Sequence, residues 1–163
     1  EKGWIPLSIN LVPSGTLNTH WEAIEEGAKK SGRKPDRSQW RIAREVYVAE
    51  TTEQARQEVL EGTIGRDFRE YFIPLMSHMD ALSLFKTADD IPDNAITPEY
   101  LIDNVWIVGS PDDVTEQIRE LYKEVGGFGV LLAMGHEWEP GASGENSVKL
   151  LANNVLPNLS DLH

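Results

Sequence analysis

Trp40-Arg41-Ile42-Ala43-Arg44-Glu45-Val46-Tyr47-Val48-Ala49 is the run on which the fold turns. β-Branched and aromatic residues dominate it, as in a strand, yet its centre carries Arg44 and Glu45, two charges where a strand covered on both faces normally has none. Alternation with period two places Arg41, Ala43, Glu45 and Tyr47 on one face and Trp40, Ile42, Arg44, Val46 and Val48 on the other, so each face receives a charge. A carboxylate buried there without a partner is costly and tends to take up a proton, whereas an adjacent cation holds it ionised. Two readings stand: an Arg44–Glu45 pair that satisfies itself, or a Glu45 turned toward a bound molecule.

The flanking segments supply the context that a buried strand needs. Upstream, Trp4-Ile5-Pro6-Leu7-Ser8-Ile9-Asn10-Leu11 is apolar with little alternation and ends in the loop signal Val12-Pro13-Ser14-Gly15-Thr16. A helix follows: Thr19-His20-Trp21-Glu22 has capping-box spacing, Leu17, Trp21, Ile24 and Ala28 recur at helical intervals, and Lys29, Lys30 and Gly32 form a basic, glycine-terminated end. Downstream, Thr51-Thr52-Glu53-Gln54 opens a helix with Ala55 and Val59 inward, and a second helical stretch runs through Phe68, Tyr71, Phe72 and Leu75. Residues 77–104, rich in Asp and Pro, read as an insertion or lid rather than core. Val105-Trp106-Ile107-Val108 reads either as a short strand or as an extended lead-in. Ser110-Pro111-Asp112-Asp113 then has the chemistry of a helix start, with Ser110 as N-cap, Pro111 at the first helical position and two acids facing the positive end of the dipole. Val114, Ile118 and Leu121 line that helix and Gly126-Gly127 ends it. Phe128-Gly129-Val130-Leu131-Leu132-Ala133-Met134 is the cleanest buried strand of all, and a last helix carries Val148, Leu151, Ala152, Val155 and Leu156 as far as Pro157. Strands alternating with helices predict an α/β fold with parallel strands and right-handed crossovers.

Composition bounds the function. With 40% hydrophobic residues, a 163-residue chain buries enough surface for one domain. The 27 acidic against 15 basic residues, net −12, disfavour nucleic acid and membrane surfaces as partners, and most of the excess reads as solvated helix faces. With no cysteine there is neither a disulfide nor a thiolate nucleophile, which fits a cytoplasmic setting. His20, His78, His136 and His163 lack metal-ligand spacing, so no metal is expected, and Gly126-Gly127-Phe128-Gly129 precedes a strand rather than following one, unlike a dinucleotide fingerprint.

Five blocks carry a resemblance. Trp21-Glu22-Ala23-Ile24-Glu25-Glu26 leading to Gly32-Arg33, Trp40-Arg41-Ile42 running into Tyr47-Val48-Ala49-Glu50-Thr51, Val108-Gly109-Ser110-Pro111-Asp112-Asp113-Val114, Gly126-Gly127-Phe128-Gly129 and Val155-Leu156-Pro157 agree in order and spacing with one family. Together they resemble the carboxy-terminal part of the bacterial luciferase-like flavin-dependent monooxygenases. That resemblance implies a partial (β/α)8 TIM barrel, the last three strand–helix units, with residues 77–104 as the insertion the family places after its seventh strand. A whole barrel needs about 250 residues, so residues 1–163 are expected to be one domain, a fragment that is catalytically silent alone. The implied activity is oxidation of a small organic substrate with O2 and reduced FMN delivered by a separate flavin reductase, in a full-length protein that is a homo-oligomer. A deazaflavin-dependent oxidoreductase of the same fold and a non-catalytic α/β assembly module are the alternatives. In the latter, three parallel strands would leave two unpaired edges.

Barrel sites lie at the carboxy ends of the strands. There Ser8 and Asn10 are candidates for contacting the flavin, or plain turn formers. Sulfonate-oxidising members are similar in carrying an arginine and a histidine where this chain has Ala43 and Glu45, which points here to a neutral or apolar substrate and makes Glu45 a candidate catalytic residue. His136 occupies the position of an active-site tyrosine of relatives and would donate a hydrogen bond to the oxygenated flavin or to the substrate, unless it is an ordinary loop histidine. Gly135 would let the backbone approach a bound ring. Met134 and Trp138 would wall the substrate pocket, Trp138 having core packing as its alternative use.

Overall fold

The computed structural model describes residues 3–136 and 143–162. The chain folds as strand β1 (Leu7–Ser8), helix α1 (Ser14–Lys30), strand β2 (Arg41–Val48), helices α2 (Thr52–Glu61) and α3 (Thr63–Asp67), a π-type turn (Phe68–Phe72) and helix α4 (Ile73–His78). Then come helix α5 (Pro98–Asn104), strand β3 (Ile107–Gly109), helix α6 (Pro111–Glu124), strand β4 (Val130–Met134) and helix α7 (Ser143–Leu150), which runs on through a second π-type turn (Leu151–Val155). Among the described residues no helix is long and apolar enough to cross a membrane.

β2 is the axis of the sheet, pairing in parallel with β1, β3 and β4. The N–H of Arg41 donates to the Pro6 carbonyl and that of Ala49 to the Gly109 carbonyl, while the Trp40 carbonyl accepts from Gly129 and Val130. Odd and even positions of a strand address opposite neighbours, so β1 and β3 lie in tandem along one edge of β2 and β4 takes the other.

The two faces of β2 separate as alternation predicts. Trp40, Ile42, Val46 and Val48 pack with Leu17 and Trp21 of α1, Val114, Ile118 and Leu121 of α6, and Val155. The opposite face continues into a second core in which Tyr47 and Ala49 meet Phe68, Phe85, Leu101 and Trp106. Burial of each such aliphatic side chain contributes roughly 1.5–3 kcal/mol. Trp40 anchors the first core: its indole N–H donates to Ser8 Oγ at 2.9 Å and its ring lies 5.2 Å from that of Trp21, over which the Arg37 guanidinium sits at 4.3 Å.

The helix signals at Thr51 and Ser110 hold, since each hydroxyl accepts the backbone N–H three residues on, at 3.2 Å. Gly126 and Gly127, at φ +73° and +97°, end α6 in a conformation that side chains rarely adopt.

Four expectations are corrected. α1 begins at Ser14, directly after Pro13, so Thr19 lies inside the helix and its hydroxyl donates to the Thr16 carbonyl instead of capping. Residues 77–104 do not lie outside the core, because Leu82, Phe85, Ile96, Leu101 and Ile102 are buried beside Phe68. Of the apolar stripe expected on the last helix only Val155 is fully buried, with Val148 and Leu156 exposed. Finally, β4 is not a buried strand: Val130, Leu132 and Met134 are 36–38% exposed. Their register partners are Arg41, Ala43 and Glu45, so the bare face is the one that carries Glu45.

Candidate functional site

The site forms where β1, β2 and β4 end. Glu45 is fully buried on β2, and its Oε1 accepts a hydrogen bond from Asn10 Nδ2 on the loop after β1. His136, two residues beyond β4, brings its Nε2 to 3.3 Å from the same oxygen, and its Nδ1 lies 3.1 Å from Asp67 Oδ2 at the end of α3. The rings of Phe68 and Phe72, in the π-type turn that follows Asp67, lie 5.6 Å and 6.0 Å from the imidazole. Single π turns inside helices recur at functional sites, and this one aims an acid and two aromatic rings at one histidine.

Carboxylates only accept hydrogen bonds. A carboxyl oxygen lies at each imidazole nitrogen, so a doubly protonated ring can donate to both. The titration follows: the hydrogen bond to Glu45 raises the His136 pKa above its ordinary value, with Asp67 adding to it, and burial opposes both without reversing the direction. Glu45 Oε2 is buried and has no hydrogen-bond partner among the described residues. Such an atom is short of a donor.

Arg44 does not form the self-satisfying pair with Glu45. The two point to opposite faces, and the guanidinium donates to the Ala43 carbonyl at 2.9 Å and to the Ile9 carbonyl at 3.4 Å. Burial lowers its pKa to about 10, against the pull of Glu45 and Glu124, so it stays a cation at neutral pH. Glu45 therefore takes its hydrogen bonds from Asn10 and His136.

A cavity of about 370 Å³ opens beside His136, with Met134 and Gly135 on one wall and Tyr47, Glu58 and Arg66 on another. A side chain at Gly135 would meet nothing within 4 Å. Tyr47 donates to Glu58 at 2.8 Å, and its hydroxyl is pushed up to about 12 by burial and by that carboxylate, so it remains a donor throughout the neutral range. A larger cavity, about 540 Å³, lies across the outer helices between Asp103, Asp113, Glu116, Glu120 and Glu124 and contains none of the predicted site residues.

Of those residues, Asn10, Glu45 and His136 are in contact, and Gly135 and Met134 adjoin them. Ser8 is not brought to the site. It pairs in register with Ile42 and so shares the helix-covered face, where its Oγ accepts from Trp40 and lies 3.0 Å from His20 Nδ1. Trp138 lies outside the described residues. Asp67, Phe68 and Phe72 were not legible as site residues, because no local motif links α3 to a histidine 69 residues away.

A family model described as luciferase-like monooxygenase matches residues 3–127. The chain is 34% identical to 3,6-diketocamphane 1,6-monooxygenase of Pseudomonas putida over 160 residues, 98% of this chain and 42% of that protein. It is 31% identical to limonene 1,2-monooxygenase of Rhodococcus erythropolis, over 93% of this chain and 36% of that protein. Among solved structures, the oxygenating constituent of 3,6-diketocamphane monooxygenase from the CAM plasmid of P. putida, in complex with FMN, superposes with a TM-score of 0.85 at 34% identity, covering 96% of this chain and 43% of that one. The chain thus spans about two fifths of the length of these relatives.

Proposed function

This chain belongs to the luciferase-like monooxygenase family, and from that membership we propose that it forms the carboxy-terminal wall of a (β/α)8 barrel that oxidises a small neutral molecule with reduced FMN and O2. The overall change is balanced: substrate, O2 and reduced FMN become oxygenated substrate, water and oxidised FMN. Reduced FMN, supplied by a separate reductase, brings the electrons and activates the oxygen.

The observation that carries the reading is the meeting of Asn10, Glu45 and His136, from β2 and the segments after β1 and β4, on the face of the sheet where Val130, Leu132 and Met134 stay exposed. These residues suit a flat apolar ring with a polar edge. Leu132 and Met134 offer apolar surface, Gly135 leaves room for close approach, and Glu45 Oε2 lacks a donor.

The residues divide the work. His136 holds a proton at Nε2, next to the buried Glu45 carboxylate, and is the group able to donate it inside the chamber. Asn10 orients Glu45. Leu132 and Met134 exclude water, which strengthens every charge interaction nearby. Ala43, between Leu132 and the β1 edge, keeps the middle of this face uncharged, and Arg41, on the same face, is four residues back along β2, about 13 Å from Glu45. The face thus favours substrates of the neutral kind for which diketocamphane and limonene stand.

A chimera tests this: the chain replaces the carboxy-terminal two fifths of the diketocamphane enzyme and is titrated with FMN and with a deazaflavin, then assayed with reduced FMN and O2. FMN binding with oxygen-dependent turnover that drops roughly a hundredfold or more in His136→Gln supports the proposal. Preference for the deazaflavin, or hydride transfer without oxygen, contradicts it.

A further inference from the structure

Asp67 sits at the last position of α3, at the rim of the site, with its side chain 32% exposed, whereas that of His136 is 8% and that of Glu45 0% exposed. We propose that Asp67 is the positioning residue of this site: it accepts the Nδ1 proton of His136 and thereby turns Nε2–H onto Glu45. The inference deepens the function proposed above and rests on His136 being its proton donor.

The geometry leaves His136 little choice. Rotating the ring by a half-turn about the Cβ–Cγ bond would exchange nitrogens for carbons and strand both carboxylate oxygens. Phe68 and Phe72 flank the ring and allow no competing polar contact from that side. The charged groups that face His136 are Glu45 from β2 and Asp67 from α3, with Arg66 of α3 3.5 Å from the other oxygen of Asp67. Asp67 thus does for this imidazole what a carboxylate does wherever one ring nitrogen must be tied down so that the other can work. It also ties α3 to the segment after β4, since Asp67 ends α3 while His136 follows β4.

The test is nitrogen-detected NMR of the His136 ring in the flavin-free 163-residue chain, across pH, for the unaltered protein and for Asp67→Asn, Asp67→Ala and Asp67→Glu. Expected is a ring that titrates above the ordinary histidine value in the unaltered chain and a titration shifted to lower pH in Asp67→Asn and Asp67→Ala. Asp67→Asn should then leave one neutral tautomer with its proton on Nε2, and Asp67→Glu should restore the higher midpoint. Packing alone would not produce that order, because asparagine has the shape of aspartate. An unchanged midpoint in Asp67→Asn, or an unaltered chain titrating at or below the ordinary histidine value, overturns the proposal. FMN titration of the chimera is read separately: no flavin binding with the expected His136 shifts sinks the cofactor reading and leaves Asp67 in place, and the reverse pattern does the opposite.

Discussion

β2 carries two charges and is sealed, while β4 carries none and lies open. From Ile42 to Val48 no residue of β2 exceeds 8% exposure, yet Val130, Leu132 and Met134 of β4, all apolar, stand at 36–38%. Burial in β2 is tolerated because each charge has partners, carbonyl oxygens for Arg44 and the Asn10 and His136 side chains for Glu45, while one guanidinium nitrogen of Arg44 and Oε2 of Glu45 have none among the described residues. Exposure in β4 has no such answer within the described residues. Its sequence suits a strand covered on both faces, and among the described residues nothing fully covers the face of Val130, Leu132 and Met134. A cover over the Glu45 face would complete β4 and seal the site together.

The comparison can be broken at its strongest point first. Trp40→Ala removes the anchor of the covered face and should cost about 3–5 kcal/mol in urea-induced unfolding; a loss below about 1 kcal/mol would mean that β2 is not the axis of stability. Glu45→Leu tests whether the buried charge is there for stability. Replacing a buried ionic group by an apolar one of similar size is often neutral or stabilising, but here it also strands the Asn10 amide and the His136 Nε2–H. A net loss of about 1–3 kcal/mol is expected, and a gain would show that the carboxylate serves function alone.

The pH dependence sharpens the same contrast. The folded-state pKa of His136 is raised above its unfolded value of about 6.5, so the stability it contributes is fully present below pH 6.5 and lost as pH rises through the elevated folded value. The stability difference between the unaltered chain and His136→Gln should be widest under mildly acidic conditions and shrink toward alkaline pH. A difference that grows with pH would contradict the assignment. Smallest of all, Leu132→Ala should cost less than about 1 kcal/mol in the isolated chain, against roughly 2–5 kcal/mol for a fully buried leucine. A large loss would mean that β4 is already covered.

The face pattern of β2 and the caps at Thr51 and Ser110 were legible in the sequence because each is decided within a few residues. Asn10 and His136 were legible as polar residues just past apolar runs, and Glu45 as a charge at the centre of one, once the family resemblance implied a barrel. Ser8 was misplaced because the face of a two-residue strand is set by its register with β2, Leu7 opposite Arg41, and nothing local encodes that register. The capping-box spacing at Thr19 misled because the same residues occur inside a helix whose start is decided by Pro13. The openness of β4 could not be read at all: an apolar run states what a strand needs, and only the surrounding chain decides whether it is met.

The absence of cysteine from this chain makes the central claim measurable at one atom. Leu132→Cys places a thiol on the Glu45 face and Leu131→Cys one on the helix-covered face. Their reaction rates with a thiol reagent are compared in the isolated chain and in a cysteine-free chimera with the amino-terminal part of the diketocamphane enzyme. The account predicts that Cys at 132 reacts readily in the isolated chain and becomes as protected as Cys at 131 in the chimera. Equal reactivity at 132 in both would mean that this face does not line the interior of the barrel.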